Sequence, residues 1–243
     1  MLPVLFRIGS FEITSFGVLV ALGALAGLWV FRREIARGKL PDAAMDAAIY
    51  GLVGGLLGAK LLYVFEHLDE GTFFGLLFDR GGMSWFGGFA GGLIAGYLTI
   101  RANGWPMLAV LSAATPALAV GQLLGRIGCF LVGDDYGHPT SLPWGVAFPE
   151  GLPPTTERVH PTQIYEAIFL AVFTWTLIRW RRDGVPDRVV LGRYFVGVGA
   201  FRFALEFVRV NTRILGPLTL AHMFALAVTV LGLALLVARA KRT

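Results

Sequence analysis

Two arginines stand where a charge is costly. Arg126 lies in Gly125-Arg126-Ile127-Gly128, near the end of an apolar run that begins at Met107, and Arg202 lies in a later apolar run. A charged side chain inside hydrocarbon costs about 2.5–3.5 kcal/mol on insertion scales, and such residues commonly mark function. Guanidinium is a planar fork that can grip a phosphate through two parallel hydrogen bonds, so the pair points to phosphate chemistry at membrane depth. Glu206 stands one helical turn beyond Arg202, so a second reading is a buried Arg–Glu pair that orders a helix bundle. Arg126 has no comparably placed acid in its own helix.

Other reactive types cluster around these two. Asp134 and Asp135 follow where the chain should leave the apolar run, and Gly125, Gly128 and Gly133 let backbone or a ligand approach closely. His160-Pro161-Thr162-Gln163-Ile164-Tyr165-Glu166 opens another run. His160 and Tyr165 there are either caps and interfacial anchors or the lining of a polar cavity, and His160, Asp134 and His138 are candidate proton acceptors. Cys129, three residues after Arg126, shares nearly the same helix face. It reads as a small packing residue or, with a cation beside it, a nucleophile. Lys60 either lines the same cavity or extends its amine to the interface.

The elements that must hold these residues are membrane helices. Of 243 residues, 56% are hydrophobic and 15% charged, with a mean hydropathy of +0.67. That excludes an ordinary soluble domain, and the continuous Gly-rich runs argue against the alternating segments of a barrel. The fold class expected is an all-α polytopic membrane protein with seven transmembrane helices. They are placed at 15–31, 43–65, 83–100, 107–132 (with Pro116 a kink), 160–178, 192–208 and 218–237. Residues 1–14 form a short amphipathic lead without a cleavable signal pattern. Residues 133–159 are too rich in Pro and Gly to cross lipid.

Basic residues follow the first, third and fifth runs: Arg32, Arg33, Arg37 and Lys39; Arg101; and a loop with Arg179, Arg181, Arg182 and Arg188. Arg239, Lys241 and Arg242 close the chain on the same side. The positive-inside rule makes that side cytoplasmic, so the N-terminus and the 133–159 loop lie outside. A net charge of +5 placed in this way is an orientation signal, and no nucleic-acid partner is expected. One cysteine excludes an internal disulfide. No metal, nucleotide or redox cofactor is expected, because no ligand cluster or phosphate loop is present. Without a repeat or linker, residues 1–243 read as one domain.

The motifs, in this order, resemble the bacterial prolipoprotein diacylglyceryl transferase family along nearly the whole chain. The resemblance rests on Gly125-Arg126-Ile127-Gly128, on residues 160–166, on Gly199-Ala200-Phe201-Arg202 with Glu206, and on Gly81-Gly82-Met83-Ser84 with Gly87-Gly88. It implies a multi-pass enzyme of the bacterial inner membrane. Such an enzyme moves the diacylglyceryl group of phosphatidylglycerol to the lipobox cysteine thiol of a prolipoprotein and releases glycerol phosphate. Arg126 and Arg202 would hold the phosphate, and Glu206 would orient Arg202. Lys60, Cys129, Gly133 and Tyr165 would complete the substrate site among membrane lipids.

Several positions depart from the family pattern. Phe86 stands for a usual His, Phe16 for a Tyr, Cys129 for an Asn, Asp134 for a Glu, Lys60 for an Arg and His222 for a Gln. Those departures keep open a paralogue that uses the same lipid site for another acceptor. A transporter or non-catalytic lipid-binding protein is the third reading, compatible with Pro116 and a buried Arg but lacking an inverted repeat.

Overall fold

A computed structural model describes residues 1–9, 11–79 and 81–238; the basic tail residues Arg239, Lys241 and Arg242 lie outside them. The long elements are helices: α1 Ser15–Arg37, α2 Met45–Glu66, α4 Trp85–Ala102, α5 Met107–Val132, α6 Thr162–Arg182, α7 Asp187–Glu206 and α8 Leu220–Val237, with a short α3 at Phe73–Phe78. Four stretches are long and apolar enough to cross a membrane: Ser15–Arg37, Asp42–Glu66, Met107–Val132 and Leu220–Val237. The protein is a mostly helical membrane protein, and its described strands form only two-stranded sheets, not a barrel.

Three details differ from the sequence reading. The amphipathic lead is a hairpin of β1 Val4–Ile8 and β2 Phe11–Thr14, with Gly9 at φ 60°. The 133–159 segment contains a second hairpin, β3 Val146–Phe148 with β4 Thr155–Val159. It is organised by Phe148, which is buried and stacked on Tyr136 at 5.4 Å. The basic loop after the fifth run is largely helix. Arg179, Arg181 and Arg182 end α6, and α7 starts at Asp187, with Arg188 in its first turn. Pro186 at the N-cap and Asp187 at the positive helix end explain that early start, and Asp187 also accepts from Arg181 at 2.9 Å.

The chain forms two compact units. In one, Phe31–Ala114, α2 and α4 approach backbone to backbone through glycines. A Cβ on Gly58 would meet the Gly87 carbonyl and sit 3.0 Å from the Gly91 Cα, and one on Gly54 would sit 2.8 Å from the Gly91 carbonyl. Apolar packing to lipid is no worse than to protein, so close van der Waals contact between small residues is what joins such helices. Substituting Gly58→Leu is expected to lower stability in mixed micelles by about 1–3 kcal/mol, the usual range for overpacking. Chemical unfolding of the purified protein would measure it.

The second unit comprises, among the described residues, those up to 30 and those from 115 to 238. Here α1 lies against α5: a Cβ on Gly23 would come within 2.9 Å of the Gly121 carbonyl, and one on Gly27 within 3.1 Å of the Ala117 carbonyl. Between α6 and α7 the core is aromatic and aliphatic, with Leu170, Phe173 and Leu177 packed with Val190 and Tyr194, and Phe169 stacked on Phe201 at 4.0 Å. Gly192 and Gly199 let α7 approach α8 at Gly232 and Ala225.

Candidate active site

Gly133 determines how the site is built. It ends α5 at φ 74°, a left-handed conformation that glycine adopts freely. Its N–H donates to the Cys129 carbonyl at 2.8 Å, and that of Asp134 to the same oxygen at 3.2 Å. The chain reverses over Asp134 and Asp135, the latter also at positive φ, 62°. That turn brings Asp135 back over α5. The Gly137 N–H then donates to the His160 carbonyl and the His138 N–H to the Val208 carbonyl, docking the loop on the start of α6 and the end of α7.

The result is a row of alternating charges. Arg126 Nη1 lies 2.7 Å from Asp135 Oδ2, and Arg126 Nε lies 2.9 Å from Glu166 Oε2. The other Asp135 oxygen, Oδ1, is 2.6 Å from Arg209 Nη2. Arg209 Nε is 3.9 Å from Glu206 Oε2, which also pairs with Arg202. Running Glu166–Arg126–Asp135–Arg209–Glu206–Arg202, three cations meet three anions. Glu166 is further held by Gln122 at 2.8 Å. Fully buried Glu206 accepts from Asn211 at 2.6 Å and from the Thr219 hydroxyl at 2.7 Å.

Arg126 has no acid in its own helix, as expected; its carboxylate partners, Asp135 and Glu166, come from the turn after α5 and from α6. Arg202 and Glu206 pair as expected, within one helix. The sequence reading overlooked Arg209 as a site residue and gave Glu166 and Asp135 only minor parts. Spacing held a signal for Arg209, which lies three residues past Glu206, but nothing local ties Asp135 to Arg209.

Burial, the largest influence on Asp135, opposes its ionisation. The Arg209 and Arg126 guanidiniums nevertheless hold its carboxyl below the ordinary value. Asp134, whose side chain is not paired with an arginine, goes the other way: burial raises its carboxyl, and the Asp135 charge adds to this. The Asp134 backbone carbonyl accepts from Gln163, and the Asp135 carbonyl accepts from the Thr162 hydroxyl at 2.7 Å.

His160 and Tyr165 face a mainly apolar cavity of about 430 Å³, lined also by Leu142, Trp144, Phe201 and Leu205. Trp144 Nε1 donates to the Tyr165 hydroxyl at 2.8 Å, and His160 Nδ1 lies 3.2 Å from that oxygen. Successive helical residues point about 100° apart, so Tyr165 serves the cavity while Glu166 serves Arg126.

The remaining candidates have other surroundings. Buried Cys129 lies 3.9 Å from Arg126 Nη1. Cys129, Asp134 and Asp135 bring one possible ligand atom each within 4.8 Å of one another. Both Asp135 oxygens are engaged by arginines, however, so this corner suits an anion better than a cation. Lys60 belongs to the Phe31–Ala114 unit, where its amine donates to the carbonyls of Asp79, Gly81 and Gly82 at 2.9, 2.7 and 3.4 Å. Three donors meet three acceptors, so Lys60 pins the turn before α4.

A sequence model of the family described as prolipoprotein diacylglyceryl transferase matches residues 3–238. The chain belongs to that family. Its relatives include proteins named phosphatidylglycerol--prolipoprotein diacylglyceryl transferase from three bacteria. The Clostridium tetani protein is 36% identical over 220 residues, covering 88% of this chain and 87% of the relative. The Methylococcus capsulatus protein is 34% identical, covering 97% and 94%. The Pseudoalteromonas translucida protein is 30% identical, covering 97% and 91%.

Within the transferase family the departures noted above acquire a setting. Phe86, in the Phe31–Ala114 unit, is exposed and makes an edge contact with Trp85, so it offers no proton acceptor. Phe16 packs on α5: a Cβ on Gly128 would sit 3.1 Å from its ring. His222 is buried between Phe203 and Phe207 and closes a capping box with Thr219 at the start of α8.

Proposed function

We propose that this protein transfers the diacylglyceryl group of phosphatidylglycerol to the lipobox cysteine thiol of a prolipoprotein. Family membership and the alternating Arg–carboxylate row carry the reading: fixed guanidiniums at the end of an apolar helix suit a lipid phosphate. The chain acts as one membrane domain with seven spans in the bacterial inner membrane. Its N-terminus and the 133–159 loop lie outside, and its C-terminus lies in the cytoplasm. Glu166 in α6 and Arg202 in α7 are compatible with spanning because Arg126 and Glu206 neutralise them.

In this reaction the thiol gives its proton to a base, and sulfur attacks the carbon of the diacylglyceryl group that carries the phosphate. The C–S bond forms as the C–O bond breaks, and the electron pair leaves on the phosphate oxygen of glycerol phosphate. Arg126 and Arg202 stabilise the charge developing there, with Glu166 and Glu206 fixing their orientation. The acceptor peptide's apolar side chains occupy the cavity beside Phe201 and Leu205. His160 is the base. With Nδ1–H donating to Tyr165, its Nε2 is left to accept the proton, and the released proton then passes to phosphate or water.

Incubating purified protein with phosphatidylglycerol and a lipobox peptide is expected to add a diacylglyceryl mass to the peptide cysteine. Intact protein that binds the lipid but adds nothing would overturn the reading. His160→Ala is expected to lower the rate by about 10²-fold or more, the usual contribution of a positioned base. Tyr165→Phe should cost about fivefold, the worth of one hydrogen bond. An unchanged rate in His160→Ala would remove the base role from that residue.

A further inference from the structure

Asp135 is the least secured member of the charge row. Its side chain is 44% exposed, against 19% for Arg126 and 6% for Arg209. It stands on a turn, whereas Arg126 is rooted in α5 and Arg209 lies three residues past the end of α7, bridged to Gly137. Each of its two oxygens takes a different guanidinium, at 2.7 and 2.6 Å. That is the arrangement in which the two free oxygens of a phosphodiester would meet the same donors. Nor are the donors exhausted: Nη1 of Arg209 is buried without a hydrogen-bond partner.

Resting on the transferase reading, we infer that the Asp135 carboxylate is a built-in occupant of the phosphate seat, displaced when the lipid headgroup binds. Charge balance requires the exchange. The row is neutral with Asp135 in place, and a phosphodiester added beside it would put two anions on the same pair of arginines. The move is local. The Thr162 hydroxyl holds the Asp135 backbone carbonyl at 2.7 Å, so side-chain rotation alone carries the carboxylate outward. Because Asp135 stays ionised, its charge keeps the empty arginines paired between turnovers. Arg209, freed by the same movement, becomes a further contact to the bound phosphate.

The test is Asp135→Asn against the unaltered protein, with phosphatidylglycerol varied by mole fraction in mixed micelles and the lipobox peptide as acceptor. A seat that is open for only part of the time loses apparent affinity by that fraction. Removing the occupant's charge is therefore expected to lower the apparent KM for the lipid by about fivefold or more, with kcat little changed. Asp135→Glu should return KM toward the original value. Binding of glycerol 1-phosphate, measured calorimetrically without turnover, should tighten by a similar factor in Asp135→Asn. A KM and a glycerol phosphate affinity that are unchanged or weakened would overturn the inference and leave Asp135 as a brace for its arginines. Absence of transfer by the unaltered protein would instead count against the enzyme reading, while the calorimetric comparison would still decide the role of Asp135.

Discussion

Replacing Arg126 by lysine is expected to lower diacylglyceryl transfer by about 10²–10³-fold, the usual cost of removing one preorganised donor from a site of developing charge. The geometry explains why a conserved positive charge does not suffice. Arg126 uses Nη1 toward Asp135 and Nε toward Glu166, two directions set by one planar group. A lysine ammonium is a point charge at the end of a flexible chain and cannot stay braced by Glu166 while offering a donor in the Nη1 direction to the phosphate. Arg126→Ala should be worse in a second respect, since Glu166 is only 3% exposed and would keep Gln122 alone among its present partners. Uncovering a buried charge in this way costs about 3–5 kcal/mol. Transfer rates and unfolding midpoints on both variants separate the effects: lysine should lose mainly activity, alanine activity and stability together. An Arg126→Lys protein with full activity would exclude the phosphate role.

The second large effect is expected at Glu206. Its side chain is fully buried and serves Arg202, Asn211 and Thr219 at once, with Arg209 nearby. Thr219 caps α8, accepting from the His222 N–H at 3.3 Å, so the carboxylate connects the end of α7 to the start of α8. Glu206→Ala leaves the buried guanidiniums short of an anion and should destabilise the protein by about 3–5 kcal/mol. Glu206→Gln keeps the volume and an oxygen for Thr219 but turns an amide toward Arg202. It is expected to retain most of the stability while losing about tenfold or more in rate, because Arg202 loses its charge-assisted orientation. Parallel assays of unfolding and transfer distinguish these outcomes. Equal losses of stability in both variants would make the charge structural rather than a guide for Arg202.

Much of the fold was legible because membrane segments are written in long apolar runs. The starts of α1 and α5 and the end of α8 follow from composition alone. The helical, polytopic class follows from having almost no polar surface to give to water. The pairing of Arg202 with Glu206 was legible for a related reason: a four-residue spacing fixes two side chains on one helix face. Helix ends were less so, as Asp187 shows, because a Pro–Asp start competes with a basic stretch that reads as loop.

By itself the sequence determined the membrane-helix class, the family, and which arginines stand at costly positions. Each follows from local composition, short-range spacing or motif order. Only the tertiary structure decided what those arginines face. Glu166 and Asp135 reach Arg126 from a separate helix and from a turn, and Arg209 shares Asp135 across a long sequence separation. It also placed His160 and Tyr165 on a mainly apolar cavity and gave the amine of Lys60 to backbone carbonyls. Such contacts depend on how the helices pack and how Gly133 turns the chain, and neither is encoded in the spacing of the residues that meet.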